Sequence, residues 1–294
     1  MKNNILVTGA TGYIGSHLCK LLKENNYHVT GWDINFHTEF NNVSQFCDEF
    51  YKTDITDPSI TGSYDTIVHL AGRSTVADSL ITPSEYYRVN VFGTLNVIEN
   101  INFNHIIFAG TSSAWAMASP YAISKVAAED IIREKAKNWT IFRFFNVSGT
   151  DGIHKQLGKP THLIRVAAMV AAGKLNEFTI YGTDYETRDG TCIRDYVHVS
   201  DVCNAILSSI KSGPLNTKYE CIGSKKGFTV LEVIETMKKV TGIDFKIIYG
   251  NRRDGDSIVN KVDKLSTHVK LTKTIEDMCL DQYVLEKKLK DKFV

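Results

Sequence analysis

The sequence predicts an α/β protein: a doubly wound parallel sheet in the first half, followed by a smaller C-terminal α/β domain. Three observations carry that reading. Short β-branched runs alternate with longer segments of helical period, glycines at three-residue spacing follow the first run, and the alternation fails from about Val147 onward. Taken in order, residues 5–8, 28–32, 66–70, 105–108 and 140–144 read as strands, each apolar enough to be covered on both faces. Between them, residues 13–25, 85–100 and 121–138 carry apolar side chains at helical period. Past Val147, glycine-centred turns at Gly149, Gly158, Gly182 and Gly190 interrupt shorter segments, and an amphipathic helix covers about 230–240. The expected division is therefore 1–147 and 148–294, without an internal repeat or a low-complexity linker.

Composition excludes several function classes. The 294 residues are 43% apolar and 23% charged, as in an average globular protein, and unlike a disordered chain, a collagen repeat or a coiled coil. Lys and Arg number 34 against 33 Asp and Glu. Without surplus positive charge, neither a nucleic-acid partner nor a membrane surface is expected. Six cysteines lie at wide spacings without a C-x-x-C pair, which reads as reduced thiols rather than a disulfide framework or a metal site. The start runs straight into a strand, so no secretory leader is expected. Residues 100–124 carry no Asp, Glu, Lys or Arg, but Asn102, Asn104, His105, Pro120 and five Ser or Thr side chains make them unsuited to lipid. A cytoplasmic protein is the expectation.

The glycines form Thr8-Gly9-Ala10-Thr11-Gly12-Tyr13-Ile14-Gly15, after a strand and opening a helix. In that context they let the backbone approach a pyrophosphate, whose charge the helix N-terminus holds. This is the nucleotide turn of a Rossmann-like domain. Asp33 ends the second strand, 18 residues past Gly15, where a carboxylate would accept from an adenosine ribose. No Lys or Arg stands between Asp33 and Tyr51 to hold a 2′-phosphate, which favours NAD over NADP. Asp54 has two readings of equal weight: it could reach the adenine, or serve as a turn aspartate before Ile55-Thr56-Asp57-Pro58.

Tyr121 and Lys125 form a Y-x-x-x-K on a predicted helix and so share one face. A neighbouring ammonium and the positive ring of bound NAD would favour the phenolate and make Tyr121 a usable base. Tyr283 and Lys287 repeat the spacing, on what reads as a solvated helix face. Tyr121 differs in its place after the fifth strand, beyond Thr111-Ser112-Ser113, where a hydroxyl could orient a substrate oxygen.

These residues resemble the extended short-chain dehydrogenase/reductases, and within them the UDP-galactose (UDP-glucose) 4-epimerases. The glycine turn and Y-x-x-x-K fit the whole superfamily, and His69-Leu70-Ala71-Gly72, Tyr86-Tyr87-Arg88-Val89-Asn90 and Arg143-Phe144-Phe145-Asn146 support the resemblance. Tyr181-Gly182-Thr183-Asp184-Tyr185 adds to them; Asp189-Gly190-Thr191-Cys192-Ile193-Arg194-Asp195-Tyr196-Val197-His198-Val199 and Arg252-Arg253-Asp254-Gly255-Asp256 are narrower and point to the epimerase branch. The resemblance implies a catalytic set of Thr111, Tyr121 and Lys125. It implies NAD held by Gly9, Gly12, Tyr13, Ile14, Gly15, Asp33, Asp54, Ile55, Ala71 and Asn90 together with Tyr121 and Lys125. Beside Thr111 and Tyr121, a UDP-sugar would meet Asn146, His162, Leu163, Tyr181, Arg194, Tyr196, Arg253, Asp256 and Asn260. Among these, Asn146, Arg194 and Arg253 would grip the phosphates and Asp256 a ribose hydroxyl, as bidentate donation by Arg suits. A surface ion pair with Asp195 is the other reading of Arg194.

The implied reaction is redox-neutral: Tyr121 takes the proton of the sugar 4-hydroxyl, C4 is oxidised to a ketone, the sugar turns over, and C4 is reduced on its other face. The resemblance also implies a homodimer paired through helices 85–100 and 121–138. The chain departs from the family in a shorter connection between Thr111 and Tyr121, a short segment after Asp33, His162 where asparagine is usual and Ser74 where lysine is usual. Asn260 aligns with a sugar-pocket position that is tyrosine in members strict for unmodified hexoses, which extends the expectation to N-acetylated sugars. Ser112-Ser113 lacks the carboxylates of the dehydratase and decarboxylase branches. A UDP-uronate 4-epimerase and a non-catalytic NAD-binding sensor remain as alternatives at this stage.

Overall fold

A computed structural model describes residues 3–35, 43–156, 160–253 and 257–289. They fall into two compact units, the first made of Met1–Phe144 with Cys203–Cys221, the second of Phe145–Val202 with Ile222–Val294. The expected boundary at 147/148 thus stands three residues past the first unit's main segment, and the chain returns to that unit over 203–221.

The first unit is built on a sheet of seven strands. In chain order the first six are β1 (Asn4–Thr8), β2 (His28–Asp33), β3 (Glu49–Lys52), β4 (Gly62–His69), β5 (Ile101–Thr111) and β6 (Trp139–Phe144). They lie in the spatial order β3-β2-β1-β4-β5-β6, with β11 (Glu220–Ile222) beyond β6, and the pairings among these six are parallel. All five expected strands are present. Ile5, Leu6, Val7, Ile67, Val68 and Ile106 are fully buried, which is why those runs are apolar at every position rather than at alternate ones. Strand β3 was not anticipated, because Glu-Phe-Tyr-Lys on the sheet's edge is largely exposed and has no apolar run to give it away.

Helix α1 (Tyr13–Glu24) follows β1. Val76–Ile81 forms α2, Pro83–Tyr86 α3 and Gly93–Asn100 α4; between the last two, Tyr87–Phe92 takes the wider π-helical winding. Helix α5 (Pro120–Lys135) starts where Ser119 Oγ accepts from the Ala122 amide at 3.2 Å with Pro120 in the first turn. It stops at Ala136, which turns extended to feed β6. One face of α5 packs inward through Ala122, Ser124, Lys125, Ala128, Glu129 and Ile132, of which Lys125 and Glu129 are charged.

In the second unit, β7 (Asn146–Ser148) pairs with β10 (Tyr196–His198), β9 (Ile193–Arg194) lies between β14 (Val259–Asn260) and β12 (Phe228–Thr229), and β8 (Phe178–Tyr181) pairs with β13 (Ile247–Gly250). Helices α6 (Leu163–Ala171), α8 (Val230–Thr241) and α9 (Ile275–Lys288) enclose one apolar core that includes Ile164, Val233, Met237 and Met278; helix α7 (Val199–Ser212) connects the units in sequence. A capping box of Thr229 and Glu232 starts α8, and left-handed Gly242 ends it; Thr274 and Asp277 start α9 in the same way. Tyr283, read from the sequence as lying on a solvated face, is half-buried against this core, while Lys287 is exposed. The turn expected at Gly158 lies outside the described residues.

Candidate active site

The strand order reverses between β1 and β4, and open α/β sheets bind ligands at that switch point. Here the glycine turn is cut to fit its own fold. Gly9 has φ +72°, and a Cβ on it would lie 2.8 Å from the Ala71 amide nitrogen; a Cβ on Gly15 would lie 2.1 Å from the Gly9 carbonyl oxygen. The turn is tied to β2 by the Gly9 amide donating to the Trp32 carbonyl at 2.8 Å, and to the end of β4 by the Ala71 amide donating to Thr8 Oγ1 at 3.2 Å. Asp33 accepts from the amides of Thr11 at 3.0 Å and Asn35 at 3.1 Å. No side chain caps α1 at Gly12, and Thr11 Oγ1 is buried without a hydrogen-bond partner. A close-approach cradle, an uncapped helix start, an orphaned hydroxyl and a carboxylate at the end of β2 are what a dinucleotide needs, so these residues fit NAD.

Three residues expected at the cofactor also brace the fold around it. Asn90 is buried, with Oδ1 accepting from the Arg73 amide at 2.8 Å and Nδ2 donating to the Arg73 carbonyl and to Ser124 Oγ, each at 3.0 Å. Its side chain braces the loop after β4 against α5 instead of facing outward. Asp54 Oδ1 accepts from the amide and hydroxyl of Thr56 at 2.9 and 2.8 Å, which is the turn reading. The side chain of Ile55 is in the apolar core, and its carbonyl accepts from Asn96 Nδ2 at 2.8 Å.

Thr111, Tyr121 and Lys125 come together where β5 ends and α5 begins. The Thr111 hydroxyl accepts from the Ser113 amide at 3.2 Å and stands close enough to the Tyr121 phenol to pull its proton affinity down. The Tyr121 ring meets that of Tyr86 edge-on, centroids 6.3 Å apart. Burial pushes the Tyr121 phenol up, against the downward pull of Thr111. Lys125 is also buried, its Nζ 4.0 Å from the Phe108 ring centroid, and burial brings it down to about 7 although Glu129 opposes the shift. A Cβ on Gly72 would lie 3.9 Å from Lys125 Nζ, so the pair adjoins the loop that closes on the glycine turn.

His69 has a role that the motif alone did not disclose. Fully buried, it bonds Thr8 Oγ1 at 2.7 Å and Thr94 Oγ1 at 3.1 Å, and burial pushes it down to about 3, so it is a neutral strut. Its place at the end of β4, one residue before the Ala-Gly of the loop, was the available signal.

In the second unit, strand pairing assembles part of the expected substrate set. Asn146 sits opposite Tyr196, and Asn260 opposite Arg194. Asn146 Nδ2 donates to the Asp195 carbonyl at 3.0 Å. The Asp195 carboxylate is taken by Ser224, Lys225 and Val262, accepting from their amides at 2.6, 2.9 and 3.2 Å, so Asp195 is the pin of this layer. Tyr181 and Arg253 form another pair, the guanidinium carbon 3.8 Å from the ring centroid and both residues exposed. His162 and Leu163 stand at the start of α6. Tyr196 departs from expectation: its ring is buried in the core and its phenol is pushed up by that burial, so its side chain is a packing element. Asp256 lies outside the described residues.

A family model, the NAD dependent epimerase/dehydratase family, matches residues 5–221, and the chain belongs to that family. Within it, a UDP-glucose 4-epimerase of Yersinia enterocolitica is 31% identical over 97% of both chains. Among solved structures, the UDP-glucose 4-epimerase of Bifidobacterium longum in complex with NAD+ and UDP superposes with a TM-score of 0.85 at 27% identity, covering 97% of this chain and 98% of the other. The UDP-Glc/GlcNAc 4-epimerase of Campylobacter jejuni does so at 0.77 and 30% identity, covering 98% and 100%.

Proposed function

We propose that the protein is an NAD-dependent epimerase that inverts C4 of a UDP-hexose, interconverting the gluco and galacto forms through a transient 4-keto sugar. The observation that carries this reading is the joining of the Thr111–Tyr121–Lys125 cluster to the glycine turn through the Ala71-Gly72 loop of the first unit. When bound, NAD supplies a reversible two-electron acceptor and a positive ring beside the phenol. The chain's own part is proton handling and orientation. Thr111 aligns the sugar 4-oxygen with Tyr121, which takes its proton as C4 is oxidised and returns it as C4 is reduced. Lys125, in its ammonium form, holds the phenolate. Because burial raises the Tyr121 phenol, base strength is reached only once positive charge stands beside it, which ties proton removal to a loaded site.

Asn146, Arg194, Arg253 and Asp256 would bind the UDP, with Tyr181, His162 and Leu163 nearby and Asn260 facing the sugar. The sequence has no carboxylate at Ser112-Ser113, which supports epimerisation over the elimination and decarboxylation chemistry of related enzymes. A small residue at 260 supports acceptance of UDP-GlcNAc as well, as does the likeness to the Campylobacter jejuni enzyme. We further place the protein in the cytoplasm, where six cysteines without a disulfide are at home, and read it as a homodimer. Tyr87 and Phe92 on the helical run and Ile123 on α5 leave an apolar surface for the partner.

Proton NMR of the anomeric signals, recorded with UDP-glucose and with UDP-GlcNAc, tests the reading. The galacto epimer is expected to accumulate, and Tyr121→Phe is expected to keep NAD while losing about 10²–10⁴-fold in turnover. A Tyr121→Phe variant of near-normal activity would overturn it.

A further inference from the structure

Tyr121, Lys125 and Glu129 stand at i, i+4 and i+8 on the inward face of α5. Glu129 is fully buried. Arg143, on β6, grips its carboxylate with two nitrogens, Nη2 to Oε2 at 2.7 Å and Nε to Oε1 at 3.0 Å, and Arg133 Nη1 lies 3.6 Å from Oε2. Strand β5 makes room for the carboxylate: a Cβ at Gly110 would come within 2.7 Å of Glu129 Oε1. The Arg143 guanidinium in turn lies over the Tyr219 ring at 3.9 Å and 5.3 Å from the ring of Trp115, whose Nε1 donates to the Tyr219 hydroxyl at 3.3 Å. Trp115 belongs to the short connection between Thr111 and Tyr121, and Arg133 Nη1 also holds the Lys218 carbonyl at 2.9 Å.

A fully buried ion pair contributes little net stability, since desolvation offsets the attraction. Apolar side chains would serve the helix–sheet contact as well. What they would not supply is a negative charge one turn from a buried lysine. We infer that Glu129, clamped by Arg143 and Arg133, is a positioning residue for the Tyr121–Lys125 pair: its fixed carboxylate, one helical turn along the same face, favours the ammonium at Lys125, and the Arg143–Tyr219–Trp115 stack fixes the connection that follows Thr111. The inference rests on Tyr121 and Lys125 being the reacting pair. The charged and titratable groups that act on Lys125 are His69 of β4, held neutral, and Glu129 of its own helix; Arg133 of that helix and Arg143 of β6 meet Glu129, and Tyr86 meets Tyr121. Glu129 is the anion among them, so its loss moves the Lys125 titration down from about 7.

The test is kcat and KM of NAD-loaded Glu129→Gln for UDP-glucose across a pH series, with thermal unfolding alongside. Expected are a roughly tenfold or greater loss of kcat at neutral pH, KM within about twofold, an alkaline limb displaced to lower pH, and recovery of most activity in Glu129→Asp. An undisplaced limb would overturn the inference whether kcat is normal or reduced. As Gln leaves Arg143 buried without its counter-ion, the pair Glu129→Gln with Arg143→Met removes both charges and gives a second reading of the same limb. If neither variant folds, Glu129 is a core residue only and the inference fails. Tyr121→Phe separates the levels: if it is inactive while the paired variant keeps the wild-type profile, only the positioning role is lost.

Discussion

Lys125 shows how a single residue joins function to a cost in stability. Its burial lowers the ammonium from the ordinary lysine value of 10.5 to about 7, so folding must either bury a charge or release a proton. The penalty is complete below pH 7, where folded and unfolded chains are both protonated. It shrinks as pH rises from about 7 toward 10.5, because the folded chain has then already given up the proton that the unfolded chain still holds. Lys125→Met is therefore expected to raise the melting temperature while abolishing turnover, with the gain largest in acid and fading over that window. Thermal unfolding of both proteins at several pH values checks it, and a gain that grows with pH would contradict the assignment. At the same scale, Asn90 and Tyr196 show why motif positions do not translate directly into ligand contacts. Both belong to the strings that carry the family resemblance, yet one braces a loop and the other packs a core.

Elements position these residues through their ends and through buried polar pins. The glycine turn works because β1 feeds α1 without a side chain at its cap, and the reactive pair works because Ser119 and Pro120 start α5 one residue before Tyr121. In the second unit the corresponding pin is Glu286 of α9. Fully buried, it accepts from Arg165 Nε at 3.3 Å, Lys174 Nζ at 3.2 Å and Gln282 Nε2 at 3.3 Å. Removing it leaves two cations in the interior without their counter-ion. Glu286→Ala should destabilise the protein by about 3–5 kcal/mol, measurable as a shift of the urea midpoint. The sequence shows part of α9 as a solvated helix face and hides its pin: the helix has polar residues on most faces, and its buried Glu and Gln look like ordinary surface residues until the partners on α6 and beyond are known.

For the whole molecule, the proposed function divides the work between the two units, with cofactor and proton chemistry in the first and substrate recognition in the second. Among the described residues no helix is long and apolar enough to cross a membrane. The exposed Tyr87, Phe92 and Ile123 are the surface on which the proposed homodimer rests. The homodimer read from them predicts a solution mass of about twice 33.0 kDa by light scattering, falling toward one chain in Phe92→Glu. A protein that stays at one chain mass at micromolar concentration would refute that assembly.

The sequence by itself determined the sheet, the nucleotide turn and the Tyr121–Lys125 pair. Each is written in local spacing: continuous apolar runs, glycines three apart, and side chains one helical turn apart. Tertiary structure alone decided the rest. It returned 203–221 to the first unit, drew β3 and Glu220–Ile222 onto the sheet edges, turned Asn90 and Tyr196 inward, and placed Arg143 and Tyr219 under Glu129. The physical reason is common to all four. Their energetics come from partners distant in the chain, and burial, which sets both the fate of a polar side chain and the proton affinity of Tyr121 and Lys125, exists only once those partners meet.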